Sequence, residues 1–583
     1  MFYTEYDPLT EKYVTDAVAA RGRADGGSEG VLAGQTVDLD LAGEYAPDSF
    51  VCRFGTDGCV RFTLDGKTET VPYAGRERNG IAIISFTQPA KPIAWHMVLD
   101  TRTGAAVVAE TWFGITVPVG YDLRGGKPPV GTRDIPRELQ RQLHFGAYRI
   151  GGEAPTCTNR LEGAGYHWKY DTGKEILTFF PSVSACTVVE LGSAMGGITV
   201  TNPADYVRLD DRYYVVFRWD AVFSGAMELD VIDLFDMESL GLTFGFDEKN
   251  GLGYYFRGAQ LTMTGTLAHL EMIGDNGDKP YASPFLKGKG ARYVYRPKDM
   301  HLPMTHAEAL EKIARELHVF DNVDGVMDSG HNMPLSDKLA GRRFAVRPDR
   351  EKYAQAPWTG KPGPGAEYEF LSRDELRVRL DGGEWHTEKV RCFEADGDLF
   401  FFAHMLTGDP DYAMLAQAVD FRTGLTTTIR CAVGNWHSEW ESGAEVLFGT
   451  LVYPGVTPPF ARRHHFTDEL VGCSFAWNYQ DDMNSIHMYS SPESYSWTIF
   501  RPDNAGGATW SSPCFYIKLR EDVYLFSWSE ENCNGNQGIV VINRRIRHDG
   551  GFFYGMYQDG LKLSITGAYM RELGKLDIRK YFL

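Results

Sequence analysis

Val60-Arg61-Phe62-Thr63-Leu64 and Leu376-Arg377-Val378-Arg379-Leu380 alternate apolar with polar side chains, and each run closes on Asp-Gly, at Asp65-Gly66 and Asp381-Gly382. A period of two sends alternate side chains to opposite faces, and Asp-Gly readily adopts the left-handed backbone of a tight hairpin turn. Both segments predict antiparallel ribbon. Thr305-His306-Ala307-Glu308 instead reads as a capping box, with Leu310, Ile313, Ala314 and Leu317 on one face, which predicts a helix running to about His318.

The pattern repeats at long range. Leu161-Glu162-Gly163-Ala164-Gly165-Tyr166-His167-Trp168-Lys169-Tyr170 lies over Leu470-Val471-Gly472-Cys473-Ser474-Phe475-Ala476-Trp477-Asn478-Tyr479, an offset of 309 residues that also carries Phe217-Arg218-Trp219 onto Phe526-Ser527-Trp528. A second set matches elsewhere: Leu32-Ala33-Gly34 with Leu339-Ala340-Gly341, and Asp100-Thr101-Arg102-Thr103-Gly104 with Asp420-Phe421-Arg422-Thr423-Gly424. The joint from Phe145-Gly146 to Pro155 parallels that from Phe448-Gly449 to Pro458. The order is A-B-A′-B′, with A expected over residues 1–120, B over 140–300, A′ over 320–450 and B′ over 455–583, and the helix linking the halves. Modules of about a hundred residues built from successive hairpins satisfy their edges most simply by closing into up-and-down barrels, a sandwich being the alternative. The expected fold class is mainly all-β, four antiparallel barrels in tandem. Gly125 to Pro136 and Ala356 to Pro364, rich in Pro and Gly, are expected to be loops over barrel mouths or between barrels.

Length agrees, since 583 residues exceed what one hydrophobic core holds. The 13% aromatic content and 63 glycines suit strands joined by tight turns. A net charge of −19 repels phosphate backbones and anionic lipid, so neither nucleic acid nor membrane is an expected partner. The amino terminus has no basic segment followed by an apolar one, and the expected location is cytoplasmic. The nine cysteines are scattered without a C-x-x-C pair, and Cys533 reads as a small buried apolar residue rather than a nucleophile. No ligand spacing for zinc and no nucleotide fingerprint is present, so no metal and no cofactor are expected.

Val471-Gly472 with Trp477-Asn478-Tyr479, and Val523-Tyr524-Leu525-Phe526-Ser527-Trp528-Ser529-Glu530, resemble two strands of the phenolic acid decarboxylases, which are small lipocalin-like barrels. An A module followed by such a B module resembles the molybdenum cofactor biosynthesis protein F (MoaF) family, which carries one A-B unit, so this chain looks like its tandem duplication. The decarboxylase resemblance implies lipocalin-like, or calycin-like, barrels and makes Tyr479 and Glu530 the candidate catalytic pair. Trp477 replaces the first of that family's two tyrosines, and Thr509 before Trp510 stands where its arginine would be, removing the charge complement to a carboxylate substrate. In module B, Asp220 or Ala221 falls where the glutamate would be, which favours B′ as the active module.

A carboxyl group and phenols inside an apolar barrel can do acid–base work unaided, because burial raises a carboxyl pKa toward neutrality. Trp477, Trp528, Tyr489 and Trp497 are expected to wall the pocket, with Arg422 and His465 as further substrate-binding candidates. The Asp-x-Arg-Thr-Gly elements also read as plain hairpin turns. Two functions follow: a cofactor-independent lyase (decarboxylase, dehydratase or isomerase type) acting on a small aromatic or hydrophobic metabolite, or a non-catalytic MoaF-like lipocalin protein that binds such a molecule. A homodimer is compatible with either.

Overall fold

The computed structural model describes residues 9–22, 30–42, 46–113, 134–135, 139–149, 152–182, 185–192, 197–219, 225–247, 249–268, 304–321, 330–349, 365–434, 439–480, 483–501, 509–530, 535–557 and 560–583. They form four eight-stranded antiparallel barrels in chain order. Barrel A runs Thr36–Ala42, Phe50–Phe54, Cys59–Leu64, Lys67–Pro72 bending at Tyr73 into Ala74–Arg78, Ile81–Gln88, Ile93–Asp100, Ala105–Phe113 and Leu139–Ala147. The last strand pairs with both Ala105–Phe113 and Thr36–Ala42, so barrel A extends to residue 147 and the expected start of B at 140 falls inside it. Barrel A′ has the same path and closes fully, its fourth strand Trp385–Asp396 unbroken. The Asp-Gly turns lie where expected, with positive φ at Asp65 and Gly66 and at Asp381 and Gly382.

Barrels B and B′ share register as well as strand order. Gly165 pairs with Phe179 and Ser474 with Met488; Ala164 pairs with Thr266 and Cys473 with Lys575. A bulge interrupts the ladder at the same place in each, opposite Gly265 and Gly574, whose φ angles of +142° and +130° require glycine. Farther along, the structural offset becomes 310, since the turn pair Asp233–Glu238 corresponds to Asn543–His548. This corrects the match of Phe217-Arg218-Trp219 to Phe526-Ser527-Trp528. Tyr214 and Val216 point into barrel B as Tyr524 and Phe526 point into B′, while Phe217 and Trp219 face barrel A. The counterpart of Trp528 is therefore Arg218, because a slip of one residue moves every side chain to the other face.

A and B pack through one apolar cluster that includes Ile83, Val98, Val107, Phe217, Leu229 and Phe244, and A′ and B′ through another that includes Phe401, Ile429, Val446, Leu525, Ile539 and Phe552. The two halves meet along a seam of hydroxyls: Thr187 to Ser496 (3.3 Å), Thr199 to Ser490 (3.0 Å) and Thr201 to Ser511 (2.6 Å). Thr187 and Ser496 are repeat equivalents, which places them on a pseudo-twofold axis between B and B′.

The linker helix spans His306–Arg315 with both capping-box bonds formed and Ala309 and Ile313 buried. It ends sooner than expected, because Leu317–Val319 turns into a strand running parallel to Gly560–Thr566 of B′. A second helix, Glu11–Arg21, capped by Thr10, packs Val14 and Val18 against barrel A. No helix among the described residues is long and apolar enough to cross a membrane. The eight described cysteines are unbridged. Cys533, Asp220, Ala221 and Ala356 to Pro364 lie outside the described residues, as does Gly125 to Pro136 apart from Asp134–Ile135, which pairs with Leu9–Thr10.

Candidate functional site: the interior of barrel B′

Alternation along four strands loads the interior of B′ with aromatic and polar groups. Cys473–Gln480 turns Phe475, Trp477 and Tyr479 inward; Ser494–Arg501 contributes Tyr495 and Trp497; Thr509–Arg520 contributes Trp510, Ser512 and Tyr516; and Val523–Glu530 contributes Tyr524, Phe526, Trp528 and Glu530. The rings interlock, Trp528 stacking on Phe526 with centroids 4.8 Å apart and lying edge-on to Tyr495 at 5.9 Å.

Glu530 ends its strand and keeps some solvent exposure, while its carboxylate turns onto inward donors. Trp528 Nε1 donates to Oε1 at 2.6 Å, Tyr495 OH to Oε1 at 3.3 Å and Trp497 Nε1 to Oε2 at 3.2 Å, with Ser512 facing the same group. Burial raises this carboxyl to about 7, and the four donors, which favour the charged form, pull against it. Near neutral pH the group is therefore populated in both protonation states, as a residue that takes and returns a proton must be.

Tyr479 lies deeper. Its hydroxyl is 3.4 Å from His487 Nε2, near Ser485, and it feels the charge of both Glu530 and Asp549. Burial drives the phenol far above its ordinary range, so it remains a proton donor. His487 sits in the middle of the aromatic set, its ring 5.1 Å from Tyr495 and 5.9 Å from Trp477. Burial lowers the imidazole to about 3, leaving it neutral, and Nδ1 has no hydrogen-bond partner among the described residues. Asp549 is a second inward carboxyl, raised by burial to about 8 and bonded to the Ala568 N–H at 2.6 Å.

The structure thus brings Glu530, Tyr479, Trp477, Trp528, Tyr489 and Trp497 together inside one barrel. It does not bring Arg422 or His465 there. Arg422 is exposed on the turn after Met414–Asp420, where the Asp420 side chain accepts from its backbone N–H. His465 is exposed on the outside of B′, paired with Lys518; its neighbour His464 is buried against Thr427. The two Asp-x-Arg-Thr-Gly turns instead join barrels, with opposite polarity. Arg102 of A bonds Asp210 of B, whereas Asp420 of A′ is held by Arg520 of B′.

His487, Tyr495, Ser512 and Asp549 join the site without being among the candidates named from the sequence. For Tyr495 the signal was available, since a strand that turns Trp497 inward turns its neighbour two residues away inward as well. Met483–Met488 is buried along its whole length, so no alternation marked His487.

The other barrels are furnished differently. Barrel B keeps Trp168 and Tyr170 but neutralises Asp230 and Glu228 with Arg218 and Arg257, at N–O distances from 2.5 to 3.5 Å. Barrel A′ is filled by Phe344, Phe370 and Phe402, with Tyr368, Gln417 and Thr428 bonded to one another. Among the described residues no group of three His, Cys, Asp or Glu is placed to hold a metal ion.

Residues 464–575, the whole of barrel B′ with its lead-in strand, match the family model of the MoaF C-terminal domain. No curated protein is significantly similar to the chain. Among solved structures, a Burkholderia vietnamiensis protein provisionally named a beta-lactamase is 16% identical over 18% of this chain and 95% of its own, with a TM-score of 0.16. A bifunctional GH43-CE protein of Bacteroides eggerthii is 9% identical over 77% of this chain and 63% of its own, with a TM-score of 0.07. At such scores neither likeness bears on fold or activity. The family match falls on the module whose interior carries the candidate site, residues 464–575 being similar to the MoaF C-terminal domain.

Proposed function

We propose that the protein is a cofactor-independent lyase or isomerase that acts by acid–base chemistry on a small aromatic or hydrophobic metabolite inside barrel B′. The supporting observation is the Glu530 carboxyl, raised by burial to about 7 and oriented by Trp528, Trp497 and Tyr495. In this reading Glu530 removes a proton from the bound molecule and returns it at a neighbouring atom or to the leaving group. Tyr479, fixed as a donor, polarises a substrate oxygen, and the indole and phenol rings exclude water and hold a flat molecule by its faces.

The test is a panel of aryl alcohols, ketones and amines incubated with the full chain in deuterated water and followed by NMR for conversion or solvent-deuterium uptake. The wild type is expected to turn over at least one member, and Glu530→Gln to lose that turnover by at least about a hundredfold while keeping the fold, within the usual contribution of a general base. Undiminished turnover in Glu530→Gln refutes the assignment. The density of aromatic rings also suits a second reading, a lipocalin-like protein that binds the molecule without converting it. Binding without conversion or exchange of any panel member selects that one.

A further inference from the structure

Barrel B shows how this chain accommodates carboxylates inside a barrel: Asp230 and Glu228 are each met by a guanidinium from Arg218 and Arg257. Barrel B′ turns Glu530 and Asp549 inward, and among the described residues neither forms an ion pair with Lys or Arg; their contacts are indole and phenol donors, Ser512 and one backbone N–H. A carboxyl in such surroundings keeps its proton near neutral pH and ionises readily only beside an opposite charge. The surrounding faces belong to Trp477, Tyr489, Tyr495, Trp497 and Trp528, rings whose negative faces attract cations. In their midst the 6%-exposed His487 presents an unpartnered, neutral Nδ1, an acceptor that suits an N–H donor. The chain's net charge of −19 also draws cations toward it and repels anions.

We infer that the ligand of barrel B′ is an organic cation, an aromatic ring on a short stem ending in a protonated amine, with the ammonium paired to Glu530 among the indoles and the ring stacked on the aromatic wall. This assignment rests on the reading of B′ as a ligand site and names the charge of what enters it. The ammonium supplies the countercharge that Arg218 and Arg257 supply in barrel B.

Three probes of one shape and different charge test this on the full chain by isothermal titration calorimetry: 2-phenylethylamine, 2-phenylethanol and 3-phenylpropanoate. The amine is expected to bind at least about tenfold more tightly than the alcohol, as one cation–π contact plus one ion pair in a desolvated site implies, and the carboxylate to bind most weakly. In Glu530→Gln the ratio of amine to alcohol affinity should fall to about threefold or less. Its affinity for the wild type should rise between about pH 6 and pH 8 as Glu530 ionises, with Tyr479 and Tyr495 remaining protonated and His487 neutral beside it. Equal binding of amine and alcohol, or tightest binding of the carboxylate, overturns the cation assignment and leaves the barrel a ligand site. Failure of all three to bind the wild type overturns the assignment together with the reading beneath it. The wild-type comparison decides by itself if the variant does not fold.

Discussion

Replacing Arg520 by Met removes the cation that ties B′ to A′. Arg520 Nε and Nη2 each lie 2.8 Å from an oxygen of Asp420, and Nη1 lies 2.8 Å from Asp396 Oδ2. The Asp420 side chain has no solvent exposure and that of Arg520 has 7%. Without Arg520, Asp420 keeps the backbone N–H groups of Arg422 and Thr423, at 2.9 and 3.0 Å, and the Thr423 side chain, but no cation among these partners. Breaking one side of a buried pair costs about 3–5 kcal/mol, because the remaining charge is left without a counterion. Asp396 retains Arg545 at 2.6 Å and is partly exposed, so its share is about 1 kcal/mol or less. The expected loss is about 4 kcal/mol in the urea transition that reports A′ and B′ at pH 7. The pH dependence has a definite sign. Burial raises the Asp420 carboxyl, but its bonds to Arg520 and Thr423 outweigh that and hold it below the ordinary range. Its stabilisation is thus complete above the unfolded pKa and is lost as the pH falls through the folded one. In the variant burial acts almost alone, so the deficit should be greatest near neutrality and shrink as the pH is lowered from about 5 to about 2. Adding Asp420→Asn should recover more than half of it at pH 7. A loss under about 1 kcal/mol, or a deficit that grows in acid, refutes the reasoning.

Asp549→Asn should flatten the stability of B′ between about pH 4 and pH 8: the folded carboxyl, raised to about 8, holds its proton where the unfolded chain has released it, so wild-type stability falls as the pH rises through that window. Urea midpoints at pH 5 and pH 8 check this, and equal slopes in the two proteins speak against a buried acid at 549. Gly551→Ala should cost about 3 kcal/mol or more and disrupt B′, because a Cβ there collides with the Ile539 carbonyl on the neighbouring strand; a thermal transition within about 2 °C of wild type contradicts it. Thr305→Ala removes the hydroxyl that accepts from the Glu308 N–H, leaving the bond from its own backbone N–H to the Glu308 carboxylate, and should cost about 1 kcal/mol, read as faster amide exchange over His306–Arg315.

The repeat and its strands were readable because alternation, Asp-Gly turns and a nearly constant offset are local patterns. Register was less so. Matching Trp219 to Trp528 is the natural choice of letters, yet one shifted residue sends Trp219 to the A–B interface and brings Arg218 inside, and only strand pairing reveals it. Residue type alone makes Arg422 and His465 candidates; what excludes them is exposure on a turn and on an outer edge, which no spacing encodes. The linker helix stops short of its apolar periodicity because Leu317 is taken by pairing with Gly560–Thr566, far away in sequence. Asp549 and His487 stayed hidden because they lie in strands buried on both faces, where barrel-to-barrel packing erases the polar alternation.

The most direct test is a carbon-13 NMR titration of the Glu530 side-chain carboxyl in the full chain, assigned by comparison with Glu530→Gln. A midpoint near 7 is the result predicted for a proton-transferring group enclosed by indoles and a phenol. A midpoint in the ordinary glutamate range, about 4.3, would mean that water reaches the group freely and that barrel B′ holds no acid–base site.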